Sequence, residues 1–286
     1  MTNPPAIVIN DATSRDIEAL APHALTSRDR TDLARAIEVL GVGEIELAMP
    51  SSGGNAIEDL TEVVAGLARA RPILWGPASR HIVDAAARAR VPTVYLAMKL
   101  SAHHAGRASS LDRLTRVIRH ARDRGLTVAL CGEDTSRTDF DLIRAVIAVA
   151  EAAGAVRFRL SDAAGVLHPT RTHALFRLLC AETDLEPEFR GHDDLGLATA
   201  NTLAAVEGGA THVSVSLVRT QARSRVAHME DVVGAIRVST LHPVVVDLTR
   251  LPAVEARIAA LLGAPAPSRR RRNQWAVTEM AGAEGR

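Results

Sequence analysis

The chain has 286 residues, of which 47% are hydrophobic, 23% are charged and only 2% are aromatic. This apolar fraction excludes intrinsic disorder for most of the chain, and the scarcity of aromatic rings argues against base stacking on a nucleic acid. A formal net charge of +1 provides no global field that would attract nucleic acid or a membrane surface. No apolar run approaches the roughly 18 residues of a membrane span, and the two cysteines form no recognisable pattern, which is typical of a reducing compartment. We therefore expect a soluble, cytoplasmic protein.

Short β-branched runs alternate with longer stretches of helical spacing along most of the chain. The predicted strands cover residues 7–10, 45–49, 73–75, 93–98, 128–131, 156–160, 187–190 and 212–217. The first predicted helix begins near Ser27, with Ser27 as its N-cap. The other predicted helices cover residues 57–70, 80–88, 111–122, 140–153, 172–181, 198–207 and 229–238. Such alternation predicts a parallel sheet. Eight strand–helix pairs favour a closed (β/α)8 barrel, with an open sheet of six or seven strands as the alternative, and the aliphatic composition suits interior layers of Val, Ile and Leu.

We expect a single barrel domain over residues 1–243 and a short C-terminal extension over residues 244–286. Four prolines, at positions 243, 252, 265 and 267, surround one helix, predicted over residues 254–262, and the basic run Arg269–Arg272 follows. A solvated tail accounts for this run, and contact with a polyanion or a partner protein is the alternative.

Polar residues occupy several of the predicted strand ends, where a barrel of this type places its reactive side chains. They include Asp16, Glu46, Glu133, Asp162 and His192. A single acid after a strand usually serves as a cap or a turn residue, but this many acids at one end of one barrel suit a divalent ion or an anionic substrate. Glu44 and Glu46 alternate along the second strand and therefore face the same side. A buried carboxylate there needs a partner such as an arginine.

Five ordered segments resemble the signatures of one enzyme family. They are Asp11–Glu18 (D-A-T-S-R-D-I-E), Gly41–Pro50 (G-V-G-E-I-E-L-A-M-P), Cys131–Arg137 (C-G-E-D-T-S-R), Leu160–Val166 (L-S-D-A-A-G-V) and His192–Thr202 (H-D-D-L-G-L-A-T-A-N-T). The last segment is the most specific of the five. Over about residues 5–250 the sequence is similar to the barrels that include homocitrate synthase, isopropylmalate synthase, citramalate synthase and hydroxymethylglutaryl-CoA lyase, with the strongest likeness to homocitrate synthases of nitrogen fixation.

The resemblance implies a barrel that condenses acetyl-CoA with a 2-oxoacid, above all 2-oxoglutarate, in a Claisen-type reaction. In that family a divalent ion (Mn, Mg, Zn or Fe) holds the 2-oxoacid and stabilises the developing alkoxide. The partners implied are therefore the small-molecule 2-oxoacid and an acyl-CoA, together with a second copy of the chain or a related synthase in a heteromer. Nucleic acid and membrane partners are not implied.

The resemblance also implies a role, by position, for seven residues at the mouth of the predicted barrel, which is the end where the strands have their carboxyl termini. The residues implied as catalytic are Arg15, which would stabilise the oxyanion, and Glu46, which would help to orient Arg15 or a bound water. Those implied as metal ligands are Asp16 and His192. Those implied to bind substrate are Glu133, Asp162 and Arg190.

The sequence departs from the family pattern at the metal site. Arg190 stands where the family has its first histidine ligand, and Val226 stands where it has an asparagine ligand. Because a guanidinium cannot ligate a cation, we expect a degenerate metal site at which Asp16 and His192 alone would hold an ion weakly.

Two functions follow from these departures. In the first, the chain is a homocitrate synthase-like acyltransferase in which Arg190 replaces the charge of the metal, pairs with Asp16 and binds a substrate carboxylate. In the second, the chain is a metal-free barrel without catalysis that acts as a partner or regulatory subunit of a complete synthase, or as a binder of small carboxylates.

Overall fold

A computed structural model describes residues 4–21, 25–50, 55–100, 107–218 and 226–263. Eight parallel strands pair in chain order, and β8 pairs with β1 to close a barrel. The strands are β1 (Val8–Asp11), β2 (Glu44–Leu47), β3 (Arg71–Pro77), β4 (Thr93–Lys99), β5 (Thr127–Glu133), β6 (Arg157–Asp162), β7 (Glu186–Gly191) and β8 (His212–Val215). The predicted (β/α)8 barrel is confirmed, and the open-sheet alternative is wrong.

The described helices surround the barrel. They are α1 (Thr13–Leu20), α2 (Ser27–Glu38), α3 (Ala56–Gly66), α4 (Arg80–Arg88), α5 (Arg107–Asp123), α6 (Phe140–Ala153), α7 (Pro169–Glu182), α8 (Ala198–Gly208), α9 (Met229–Ser239) and α10 (Leu251–Leu261). The predicted bounds of α4 and α6 are confirmed. None of the helices within the described ranges combines the length and the hydropathy that crossing a bilayer requires.

Two details at the start of the chain differ from the prediction. Helix α1 was not expected, because its two turns contain too few apolar residues to show a helical period, although Ile17 is fully buried. Helix α2 is capped by Thr26 rather than by Ser27. The Thr26 hydroxyl accepts a hydrogen bond from Asp29 N at 3.1 Å, and the Asp29 carboxylate accepts one from Thr26 N at 3.1 Å, which is a reciprocal capping box.

The aliphatic core lies between the strands and the helices, not inside the barrel. Outward-facing strand residues such as Ile45, Val94 and Val213 are fully buried against the surrounding helices. The expectation of aliphatic layers inside the barrel is wrong. The interior is mainly polar and charged, and its buried side chains include Asn10, Glu44, Glu46, Tyr95, Arg157, Arg159, Glu188 and Ser214.

Residues 243–263 pack against the amino-terminal end of the barrel. Ile7 N donates to Pro243 O at 2.8 Å, and Asp247 N donates to Leu40 O at 2.6 Å. Val254 and Ile258 on α10 are buried in the same aliphatic core as the strands. The basic run Arg269–Arg272 lies outside the described residues.

Candidate functional site

The turn after β1 places Arg15 over the carboxyl end of the barrel. Thr13 donates to the Asp11 carboxylate from its backbone N and from its hydroxyl, both at 2.9 Å, and Leu217 N donates to Thr13 Oγ1 at 2.8 Å. These bonds fix the first turn of α1 against β8. Burial of the Asp11 carboxyl raises its pKa to about 7. The guanidinium of Arg15 then lies 4.9 Å from the Trp75 ring centroid, a cation–π contact that helps to fix it.

Glu46 holds Arg15 from below. Arg15 Nη1 donates to Glu46 Oε2 at 2.6 Å, and the other Glu46 oxygen accepts from Arg159 Nη2. Burial alone would raise the pKa of Glu46, but the charges of Arg159 and Arg15 outweigh it and lower that pKa. The expectation that the inward carboxylates of β2 need arginine partners is confirmed, since Glu44 likewise pairs with Arg157 at 2.6 Å.

A layer of polar side chains supports Glu46 inside the barrel. Arg159 Nε donates to Glu188 Oε1 at 2.9 Å, and the Arg159 guanidinium lies 4.0 Å from the centroid of the Tyr95 ring. Asn10 Nδ2 contacts Glu46, Tyr95 and Glu188 at 3.0–3.1 Å, and the Tyr95 hydroxyl donates to Glu188. The paired charges orient Glu46 beneath Arg15, while Asn10 Oδ1 and Arg159 Nη1 have no hydrogen-bond partner.

Arg190 brings a second guanidinium to the mouth. It extends from β7, donates from Nη1 to Ser214 Oγ at 2.9 Å, and contacts Asp16 Oδ1 from Nη2 at 3.4 Å. Arg15 Nη2 lies 3.1 Å from the same Asp16 oxygen. Burial would raise the pKa of Asp16, but Arg190 and Arg15 outweigh it and lower that pKa. Burial and the charge of Arg15 lower the pKa of Arg190 to about 10, so Arg190 stays protonated at pH 7.

His192 follows β7, and its backbone forms an antiparallel bridge with that of Val226. Val226 is the residue at the position where the resemblance implies an asparagine ligand. Burial and the charge of Arg190 lower the pKa of His192 to about 4. The imidazole is therefore neutral at pH 7.

The two remaining acids of the prediction have different surroundings. Glu133 is the last residue of β5 and is half-buried. Asp162 is fully buried at the end of β6, and its two oxygens accept hydrogen bonds from Val166 N at 3.1 Å and Leu167 N at 2.9 Å. The Asp162 carboxylate thus holds the loop after β6 in shape.

The charge of Arg190 opposes the binding of a divalent ion at Asp16. An ion bound to Asp16 Oδ1 at about 2.1 Å would lie within about 5.5 Å of Arg190 Nη2, because Nη2 is 3.4 Å from that oxygen. At an effective dielectric constant of about 20 the pairwise repulsion would be at least about 6 kcal/mol. Within the described ranges, the one group of three His, Cys, Asp or Glu residues with metal-binding spacing lies elsewhere, at His228, Glu230 and Glu255.

Several residues of the site were missed from the sequence. They are Asn10, Trp75, Tyr95, Arg159, Glu188 and Ser214. A signal was present for some of them, since Arg157 and Arg159 on β6 alternate in the same way as Glu44 and Glu46 on β2. That alternation places two cations and two anions on the inward face of the same barrel.

The fold and this mouth define a class of protein: a closed parallel barrel with its charged residues gathered at the carboxyl ends of the strands. The family model described as HMGL-like matches residues 6–258, and the chain belongs to this family.

Individual relatives agree with this assignment. The chain is 32% identical over 267 residues to homocitrate synthase 1 of Nostoc sp., a match that covers 91% of this chain and 71% of that protein. It is 29% identical to 2-phosphonomethylmalate synthase of Streptomyces rubellomurinus, over 90% of this chain and 70% of that protein. In fold it resembles hydroxymethylglutaryl-CoA lyase from Pseudomonas aeruginosa, with a TM-score of 0.79 and 21% identity over 99% of this chain and all of that one.

Proposed function

We propose that this chain is a homocitrate synthase-like acyltransferase that condenses acetyl-CoA with a 2-oxoacid, with 2-oxoglutarate as the first candidate. One observation carries the proposal. Arg15 and Arg190 converge on one Asp16 oxygen at the mouth, at 3.1 and 3.4 Å, with side chains only 12% and 6% exposed. Such paired guanidinium groups suit a small carboxylate. The relatives named homocitrate synthase and 2-phosphonomethylmalate synthase support the reaction class.

The proposed reaction forms one carbon–carbon bond and cleaves one thioester. A base takes a proton from the acetyl methyl group, the resulting carbanion attacks the keto carbon, and the keto oxygen becomes an alkoxide that then takes a proton. Water cleaves the thioester and releases the thiol of CoA. Arg15 and Arg190 would bind the 2-oxoacid carboxylate and stabilise the alkoxide, because fixed cations in a buried site need little reorganisation as charge develops.

The residues beneath Arg15 support this role. Glu46 fixes one edge of its guanidinium, Trp75 covers one face, and Arg159 fixes Glu46 in turn. Functional groups held by such secondary contacts keep the geometry that catalysis requires.

The second candidate function is a metal-free barrel without turnover, acting as a partner or regulatory subunit of a complete synthase or as a binder of small carboxylates. The observation that favours it is the presence of Arg190 and Val226 at the two positions where the family resemblance implies a histidine and an asparagine ligand, since neither side chain can ligate a metal.

Release of CoA thiol separates the two candidates. The purified full-length chain is incubated with acetyl-CoA and 2-oxoglutarate, pyruvate or 2-oxoisovalerate, and free thiol is measured with a chromogenic reagent. If the chain is an acyltransferase, release of CoA thiol should depend on the 2-oxoacid and should fall at least tenfold in Arg15→Lys. Lysine keeps the positive charge but lacks the planar guanidinium that binds a carboxylate through two hydrogen bonds. Arg144→Lys is the matched control, because Arg144 lies on the surface of α6 and is 51% exposed.

The opposite outcome supports the second candidate. Absence of thiol release with every 2-oxoacid, combined with saturable binding of 2-oxoglutarate, would contradict the acyltransferase. Increased activity of a complete homocitrate synthase on addition of this chain would then identify the regulatory role.

A further inference from the structure

We infer that Arg190 takes the place of a divalent ion at this mouth, so that a small carboxylate binds directly to the Arg15–Arg190 pair with no metal between them. The identity of that carboxylate as a 2-oxoacid rests on the proposed function. The metal independence does not, because it is read from metal content and binding rather than from turnover.

The first support is the place of Arg190 in the fold. It lies near the carboxyl end of β7, two residues before His192, where the family pattern has a ligand. Its Nη1 is anchored by Ser214 on β8, and its Nη2 faces Asp16 on α1. The guanidinium therefore bridges β8 and the first turn of α1, and it already contacts the carboxylate that an ion would need.

The second support is the segment that pairs with the backbone after β7. Val226 pairs with His192 through the backbone, and Ala227 N donates to Gly191 O at 3.0 Å. An aliphatic side chain at this position offers no ligand atom. Asp16 and His192 are then the remaining members of the ligand set that the family resemblance implies, and two ligands hold a divalent ion less well than the three or four of protein sites.

The third support is the balance of charge. Three guanidinium groups, those of Arg15, Arg159 and Arg190, lie around Glu46 and Asp16, while Glu188 shares Arg159. The three guanidinium groups already balance the three carboxylates of Glu46, Asp16 and Glu188. Because these buried charges are paired with one another, the set offers a divalent cation no uncompensated negative charge.

Metal content is the first test. The purified full-length chain is dialysed against Mn²⁺ and Zn²⁺ in turn, desalted and analysed by plasma mass spectrometry. We expect less than 0.1 ion per chain at the mouth, and a stoichiometric ion there would overturn the inference. An ion held by the separate group at His228, Glu230 and Glu255 is recognised because Glu255→Gln removes it, whereas an ion at the mouth would survive that change.

Restoring the family's ligands provides the gain-of-function arm. The double variant Arg190→His, Val226→Asn adds two ligand types beside Asp16 and His192. We expect its Mn²⁺ or Zn²⁺ content to rise at least fivefold above that of the unmodified chain. Arg190→Gln removes the charge without adding a ligand and controls for the loss of repulsion alone. A folded double variant with no more metal than the unmodified chain would overturn the assignment of Arg190 to the position of the ion.

Carboxylate binding completes the test. Titration calorimetry with 2-oxoglutarate is run after treatment with EDTA and again with added Mn²⁺. The inference predicts the same Kd within twofold in both conditions and at least a tenfold weaker Kd in Arg190→Gln, with Arg144→Gln unchanged. Binding that requires Mn²⁺ would overturn the inference. Metal-free binding without thiol release would leave the inference in place and contradict only the acyltransferase.

Discussion

Replacing Glu46 with glutamine would leave two buried guanidinium groups facing one neutral amide. Glu46 is fully buried, with one oxygen 2.6 Å from Arg15 Nη1 and the other in contact with Arg159. At a charge separation of about 4 Å and an effective dielectric constant of about 20, each pair contributes about 4 kcal/mol of attraction. The cost of burying the carboxylate offsets part of this sum, so the net loss for a broken buried pair is about 3–5 kcal/mol.

Thermal unfolding followed by circular dichroism measures this loss. For a chain of this size, about 2 °C per kcal/mol gives a fall in Tm of roughly 6–10 °C for Glu46→Gln. Glu186→Gln is the matched control, because Glu186 also pairs with an arginine, Arg157 at 3.1 Å, but is 50% exposed. An exposed pair contributes at most about 1 kcal/mol, so its Tm should fall by no more than about 2 °C.

The pH dependence gives an independent check on the same residue. The pKa of Glu46 is lowered below its ordinary value of 4.5 in the folded chain. Its contribution to stability is therefore complete above about pH 4.5 and is lost as the pH falls through the lower folded pKa. Glu46→Gln should lose less stability than the unmodified chain on acidification below pH 4.5. Equal Tm values for Glu46→Gln and Glu186→Gln at pH 7 would refute the proposed role of Glu46 in holding Arg15 and Arg159.

Three further changes test other parts of the barrel. Tyr95→Phe removes the hydroxyl that donates to buried Glu188 and should cost about 1–3 kcal/mol in urea unfolding; no change would contradict the polar network. The unmodified chain should lose about 4 kcal/mol of stability as the pH rises from 4 to 7, because the pKa of Asp11 is about 7 in the folded chain and 3.8 in the unfolded chain. Asp11→Asn should abolish this loss, and unfolding free energies measured across that pH range check its sign. Gly165→Ala should lower the Tm more than Gly196→Ala. Both glycines have positive φ (+60° and +73°), but a Cβ at Gly165 would lie 2.8 Å from a neighbouring carboxylate oxygen, whereas nothing lies within 4 Å of a Cβ at Gly196. Equal falls in Tm would show that backbone strain alone accounts for both.

The position of Arg190 shows what the sequence could predict about the site. Its spacing from His192 and the match to a family signature were enough to place it at the mouth and to predict its contact with Asp16, which the structure confirms at 3.4 Å. Its second partner, Ser214, belongs to a different strand and carries no motif. The neighbour of β7 in space is decided by the closure of the barrel, not by any local pattern.

The pairing of charges inside the barrel could not be predicted from the sequence for a similar reason. Alternation along β2 predicted that Glu44 and Glu46 face inward, but not that Arg157 and Arg159 arrive from the opposite side of the barrel. The pairs Glu44–Arg157 and Glu46–Arg159 are both 113 residues apart in sequence. Only the register of eight strands around a closed ring brings them together.

The sequence by itself determined the barrel, because alternating periods of two and 3.6 residues can be read locally and each strand–helix unit buries its own apolar face. It also determined the family, since the signatures are contiguous along the chain. The tertiary structure decided which charged groups surround Asp16. Whether Asp16 faces a metal or a guanidinium depends on which charged groups converge within about 4 Å, and that follows from barrel closure and from the burial that makes each unpaired charge costly.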